Sequence, residues 1–134
     1  MKRRNPWLLL LLVFLLASLA QVVMNQKIVV GVGNIYASEA LFLAKINPLK
    51  KASRISQSES ERLRSAIFQI LQSAIKLGGS TIRDFVSTDG TYGNFQNQFS
   101  VYNREGSGCK ICKTRLKSKV LNGRSTYWCP SCQK

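Results

Sequence analysis

The sequence predicts a mainly α chain that closes in a small β-hairpin ribbon, and three observations carry that fold class. An apolar stripe at helical spacing runs from just after Ser56 to about Leu77. Asn122-Gly123, the strongest short hairpin signal, stands between two runs that can form strands. All four cysteines fall in the last 26 of the 134 residues, as Cys109-x-x-Cys112 and Cys129-x-x-Cys132 with 16 residues between the pairs. Each C-x-x-C turn points two thiolates at one place, and four thiolates make a closed tetrahedral site with no open position for catalysis. That pattern predicts one structural Zn²⁺ on Cys109, Cys112, Cys129 and Cys132. Two disulfides are the alternative that an even cysteine count allows.

Length and charge bound what the chain can do. At 134 residues it holds one domain, or two small modules that share a core. Twenty Lys and Arg stand against six acidic residues, a formal +14, of which a four-thiolate zinc site removes about two. Such a balance favours a polyanionic partner, nucleic acid first and an anionic membrane second. There is no histidine, and every cysteine is in the ribbon. Histidine acid–base work and a spare thiol nucleophile are therefore excluded.

Residues 1–20 differ from the rest. Lys2-Arg3-Arg4 precede an apolar run from Trp7 to Ala17 and a Ser18-Leu19-Ala20-Gln21 end, the pattern of a secretory signal. The run is short for a hydrocarbon core of about 30 Å. A start displaced by a frameshift or misplaced initiation is the other reading. It is favoured because an exported chain would meet an oxidising compartment, where the cysteines would more often pair as disulfides.

From about Val22 to Ala44 the pattern is helical with one break. Gly31-Val32-Gly33 leads to Asn34, a candidate N-cap, and then to a helix with Ile35, Leu41 and Phe42 on its buried stripe. Two glycines before a helix N-terminus let backbone N–H groups approach an anion, which the helix dipole favours; an ordinary tight turn is the alternative. A dinucleotide fingerprint is ruled out, because position 36 is Tyr rather than Gly and no βαβ unit follows.

Asn47-Pro48 is expected to end that helix, and a basic connector with Lys50, Lys51 and Arg54 follows. Ser56-Gln-Ser-Glu59 is a capping box. Behind it Leu63, Ile67, Ile70, Leu71, Ala74 and Ile75 share one face, and Gly78-Gly79 supplies the stop. Residues 87–95 have loop composition. In the ribbon, Arg115, Lys117 and Lys119 alternate against Leu116 and Val120, which gives a hairpin with a cationic face and Arg124 at its tip. Such a face can reach nucleic-acid phosphates or simply be solvated.

Several motifs together resemble the formamidopyrimidine-DNA glycosylase family. They are Gly31-Val-Gly-Asn34-Ile-Tyr36-Ala37, Gly78-Gly-Ser-Thr81, Val101-Tyr102-x-Arg104-Glu-Gly106, Gly123-Arg124-Ser-Thr126 and the four cysteines. The resemblance covers roughly residues 20–134 and the C-terminal half of that enzyme. It implies a helix–two-turn–helix domain at 21–100 and a zinc finger at 101–134. The family excises oxidised purines such as 8-oxoguanine and formamidopyrimidines, then cleaves the strand by β,δ-elimination. The resemblance implies that Asn34, Gly33 and Tyr36 contact a DNA phosphate and that Arg124 grips phosphates flanking the everted nucleotide. It places Tyr102 and Arg104 in the linker near the damaged site, and it makes Thr88–Phe95 the lesion-capping loop.

Where the family has an N-terminal proline nucleophile followed by glutamate, this sequence reads Met1-Lys2-Arg3-Arg4, and Pro6 is an internal amide. No catalytic residue is assigned. The expectation is a monomeric, cytoplasmic, damaged-DNA-binding portion of a base-excision-repair glycosylase and AP lyase, inactive alone. Its partner is duplex DNA with damaged bases or abasic sites. Two alternatives remain open: activity when another chain or a longer reading frame supplies the missing half, and a membrane-anchored or exported basic zinc-ribbon protein.

Overall fold

A computed structural model describes residues 18–25, 33–78 and 98–134 of the chain. Among the described residues three α-helices, α1 (Leu19–Val23), α2 (Asn34–Leu43) and α3 (Gln57–Lys76), precede an antiparallel hairpin of β1 (Lys117–Leu121) and β2 (Arg124–Trp128). A 3₁₀ turn, Ala52–Arg54, lies on the connector between α2 and α3. The helical part and the ribbon match the expected fold class. The run Trp7–Ala17, the first two residues of Gly31-Val32-Gly33, the second glycine of Gly78-Gly79 and the loop Thr88–Phe95 lie outside the described residues. Among the described residues no helix is long and apolar enough to cross a membrane.

Ser18-Leu19-Ala20-Gln21, the small-residue end of the apolar run, opens a helix. Ser18 is an N-cap: its Oγ accepts from the Gln21 amide, and the Gln21 Oε1 accepts from the Ser18 amide. The next two amides are satisfied from the connector, Leu19 N–H donating to the Lys50 carbonyl and Ala20 N–H to that of Pro48. Leu19, Ala20 and Val23 are buried in the core of the helical unit. A boundary between residues 20 and 21 would thus cut a packed helix.

Helix α2 has Gly33 as its N-cap and Asn34 as its first residue, one position earlier than the sequence suggests. It stops before Asn47-Pro48. Lys45 turns into the left-handed region at φ 60°, and Ile46 N–H reaches back to the Leu41 carbonyl while Lys45 N–H reaches that of Phe42. This is a Schellman stop, sealed by contact between the fully buried Leu41 and Ile46. Arg62 of α3 donates from Nε to the Ala44 carbonyl, putting a cation at the negative end of the α2 dipole.

The capping box on α3 forms as its sequence requires: Ser56 Oγ accepts from Glu59 N–H at 3.1 Å, and Glu59 Oε2 accepts from Ser56 N–H at 2.9 Å. Glu59 also pairs with Lys50 at 2.6 Å, and the hydrogen bond from Lys50 holds its carboxyl below the usual range. The buried face differs from the expected stripe. Leu63, Ala66 and Ala74 are buried, Ile67, Ile70 and Leu71 half-buried, and Ile75 is 78 % exposed. Ala66 takes the inner place because α3 packs against the Ala37–Ala40 side of α2, where small residues permit close approach.

Helix α2 is buried along Ala37–Phe42 because it serves two cores at once. Leu41 belongs to the helical core with Leu19, Val23 and Leu63, whereas Phe42 packs into the ribbon with Val101, Leu116, Cys109 and Cys129. Adjacent residues on one helix therefore stitch two cores together.

Candidate nucleic-acid interface

The ribbon is built around sulfur. The four Sγ atoms of Cys109, Cys112, Cys129 and Cys132 lie within 4.8 Å of one another, at 3.9 Å for Cys109–Cys132 and 3.4 Å for Cys112–Cys129. Tetrahedral zinc with Zn–S bonds of about 2.3 Å separates its sulfurs by about 3.8 Å, so the set has the right size. The local chain is folded for anionic sulfur as well. Ile111 N–H donates to Cys109 Sγ and Cys132 N–H to Cys129 Sγ, each at 3.4 Å. The thiols would not ionise together unaided. Hydrogen bonds from Thr114 bring Cys112 down to about 6, while burial pushes Cys129 up and Cys132 up to about 12. A divalent cation resolves that conflict, since it compensates four thiolates in one place, two of them, Cys109 and Cys129, buried. The cysteines are free of disulfides, and the donor set fits zinc.

The hairpin above the metal site turns on Asn122 and Gly123, both at positive φ (50° and 76°), as a type I′ turn demands. Leu121 pairs with Arg124 across it, and Arg124 is exposed at the tip. Arg115, Lys117 and Lys119 are all exposed, in line with a cationic face. Val120 breaks the expected alternation: it is 64 % exposed, and Leu116 is the inward residue of that stretch. From residue 101 onward the chain carries eight basic residues and one acidic residue, Glu105.

Strand β2 does not end in open backbone on its outer edge. Ser125 and Tyr127 face away from β1, and one turn of α2 covers them. Asn34 Nδ2 donates to the Ser125 carbonyl at 3.3 Å, and Tyr127 N–H donates to Ser38 Oγ at 3.5 Å. Positions 34 and 38 are i and i+4 on the helix, so both side chains fall on one face. The N-terminus of α2 is thereby fixed beside Arg124. Gly33, at that N-terminus, has no side chain to accept first-turn amides. A Cβ built on it meets nothing within 4 Å, and its φ of −85° suits any residue. Among the described residues nothing in the packing demands a glycine there, and the first-turn amides are left without a side-chain cap, the arrangement that suits an anion at a helix N-terminus.

The linker into the ribbon is held by a residue that sequence reasoning passed over. Glu39, 3 % exposed on α2, accepts from Ser100 N–H at 2.8 Å and from Val101 N–H and Tyr102 N–H at 2.9 Å each. At the far end of the ribbon, buried Gln133 accepts from Cys129 N–H and donates to the Ile46 carbonyl. Neither is visible in the sequence, because their partners lie 61 to 63 and 87 residues away. A lone glutamate on an otherwise apolar helix face is the one signal that could have found Glu39.

The predicted contact residues fall into two groups. Gly33, Asn34 and Arg124 are brought together by the Asn34–Ser125 bond. Tyr102 stands beside them, its ring edge-on to Tyr127 at 5.1 Å and to Phe99 at 5.3 Å, and Tyr36 packs into the same cluster. Arg104 is occupied differently: Nη1 donates to the Ser100 carbonyl at 2.5 Å and Nη2 to that of Gly108 at 3.1 Å. Its guanidinium ties the linker turn.

Comparison with known proteins agrees with this geometry. A family model described as the formamidopyrimidine-DNA glycosylase H2TH domain matches residues 16–86. A second, described as the zinc finger found in FPG and IleRS, matches residues 106–134. The chain is 51 % identical over 117 residues to the formamidopyrimidine-DNA glycosylase of Thioalkalivibrio sulfidiphilus, covering 87 % of this chain and 43 % of that protein. It is also 51 % identical over 118 residues to that of a Janthinobacterium species, covering 88 % and 43 %. Among solved structures it superposes on MutM (Fpg) from Thermus thermophilus with a TM-score of 0.81 at 41 % identity, covering 87 % of this chain and 44 % of that one. The Lactococcus lactis Fpg in complex with abasic-site DNA gives 0.80 at 40 % identity, covering 87 % and 43 %. The chain spans less than half the length of the curated relatives it matches.

Proposed function

The chain belongs to the formamidopyrimidine-DNA glycosylase family, of which it holds the DNA-binding H2TH domain and a zinc finger with one structural zinc, and we propose that it grips damaged duplex DNA for base excision. The observation that carries this reading is the bond from Asn34 to the hairpin beside Arg124. A helix N-terminus without a side-chain cap and an exposed arginine are joined there into one cationic surface. In this reading the H2TH unit begins at the Ser18 cap rather than at residue 21 and runs to about residue 100, and residues 101–134 form the zinc finger. Asn34, the Gly33 backbone and Tyr36 meet one phosphate, Arg124 meets phosphates flanking the damaged nucleotide, and Tyr102 and Arg104 shape the linker between them. Phosphate contacts carry no sequence information, which suits a protein that must inspect any sequence.

The ligands follow from the relatives. The Lactococcus lactis Fpg structures are complexes with DNA that holds an abasic site or a Fapy-dG lesion. We carry both classes over to this chain, with oxidised purines as the bases removed. Excision chemistry is assigned to residues outside this surface. Among the described residues the carboxylate of Glu39 is engaged by backbone amides and that of Glu59 by Lys50. The cysteines are taken by the metal site, and the chain has no histidine. The partner is DNA, the acting form a monomer, and the place the cytoplasm, where DNA and reduced thiols coexist.

Titration of the zinc-loaded chain with a duplex that carries an abasic-site analogue tests the reading. Arg124→Ala is expected to weaken binding about tenfold and to reduce the salt slope by about one. Unchanged affinity and slope would remove Arg124 from the interface. Borohydride trapping on an 8-oxoguanine duplex is expected to give no covalent adduct; an adduct would show that the chain itself supplies a nucleophilic amine.

A further inference from the structure

Glu39 is a carboxylate removed from solvent in a chain whose charge is overwhelmingly basic. Its two oxygens accept from three consecutive backbone amides, Ser100, Val101 and Tyr102, at 2.8 to 2.9 Å. Burying a charge is costly unless hydrogen bonds compensate it, and among the described residues the compensation comes from the segment that leads into the ribbon. On the same helix, Asn34 and Ser38, five residues and one residue before it, hold the outer edge of β2. Helix α2 therefore touches the ribbon at its entry and along its hairpin, and the same helix presents its N-terminus at the candidate phosphate site.

We propose that Glu39, seconded by Ser38, is a positioning residue for DNA binding: it fixes the ribbon on α2 so that Arg124 and the α2 N-terminus meet the same DNA backbone together. This rests on the DNA-binding reading above. Glu39 touches no DNA itself and acts through the linker. Zinc holds the ribbon's internal shape; Glu39 sets its placement relative to the helices. Two anion-binding elements on a rigid body gain from being linked, because the second contact becomes intramolecular, and that gain disappears if their spacing wanders.

The test is a double-mutant cycle on affinity for an abasic-analogue duplex, using the full zinc-loaded chain. Glu39→Gln is nearly isosteric but replaces one accepting oxygen by an amide nitrogen facing a donor. Expected results are about a tenfold loss of affinity for Glu39→Gln, with an unchanged Co²⁺–thiolate charge-transfer spectrum. In that background Arg124→Ala should cost less than about twofold, against about tenfold in the parent. A purely structural role for Glu39 would lower stability but leave the cost of Arg124→Ala intact. Full additivity with the parent's Arg124 effect overturns the proposal while the DNA reading stands. No salt-sensitive binding by the parent overturns both. Should Glu39→Gln fail to hold cobalt, Ser38→Ala takes its place in the cycle. It leaves the carboxylate untouched and is expected to show the same coupling at about two- to threefold, and additivity there is equally decisive against the proposal.

Discussion

The helical unit and the ribbon are held together by different physics, although one helix runs through both. In the helical unit, Leu41, Ile46 and Leu63 are packed with small residues such as Ala37, Ala40 and Ala66, and the stabilisation comes from removing apolar surface from water. Among the described residues the ribbon has Phe42, Val101 and Leu116, with half-buried Tyr127, around its sulfurs. A two-stranded hairpin with so little core is not stable by itself, and the metal supplies what burial does not. The seam between the units therefore matters more than either one alone. Leu41 and Phe42 are neighbours on α2, yet each belongs to a different core.

Metal removal should separate the two units most strongly. Structural zinc in small domains contributes on the order of 10 kcal/mol of apparent folding free energy. Cys109→Ser, or a chelator, is expected to abolish the dispersed amide signals of residues 104–134 while far-UV helicity persists. Simultaneous collapse of the helices would show that the helical unit depends on the ribbon. Leu41→Ala is the reverse cut. At full burial it is expected to cost about 2–5 kcal/mol, seen as a lowered melting temperature with a retained Co²⁺–thiolate spectrum. Loss of that spectrum would place Leu41 in the wrong core.

A smaller effect isolates the helical side. Glu59 is held below its usual carboxyl pKa by Lys50 and by the Ser56 amide. A depressed carboxyl pKa gives stability that is present above the unfolded value of 4.5 and fades as pH falls through the folded value. Glu59→Gln is expected to cost about 0.5 kcal/mol near neutral pH, since the pair is partly solvent-screened. That cost should vanish well below pH 4.5 and leave ribbon signals unmoved throughout. A cost independent of pH would assign Glu59's contribution to packing.

Legibility in the sequence follows the range of the interactions. The Ser56–Glu59 capping box, the Asn122-Gly123 turn and the cysteine pairs are local patterns, and each forms as its spacing demands. The Ser18–Gln21 box is equally local but is masked by the apolar run before it, whose composition suggests a leader. Periodicity alone assigns Ile75 and Val120 to inner faces, and both are exposed. At position 74 α3 still packs on Ile35 and Tyr36 of α2, but Ile75 falls to the outer side of that contact, and at 120 the hairpin side chain points out to solvent, so among the described residues the period persists without a core to meet it. Glu39 and Gln133 show the harder limit. Each is a polar residue with a partner far away in sequence, and even where a lone glutamate on an apolar face marks Glu39 out, no local pattern names that partner.

If two differently stabilised units form one phosphate grip, the salt dependence of DNA affinity must change when the metal is removed. For the zinc-loaded chain on an abasic-analogue duplex, log K should fall linearly with log salt at about 0.9 per phosphate contacted, over several phosphates. After chelation both the affinity and the slope should drop, since the ribbon's share of the contacts is lost while α2 remains. An identical slope and affinity for the metal-free chain would contradict a shared grip.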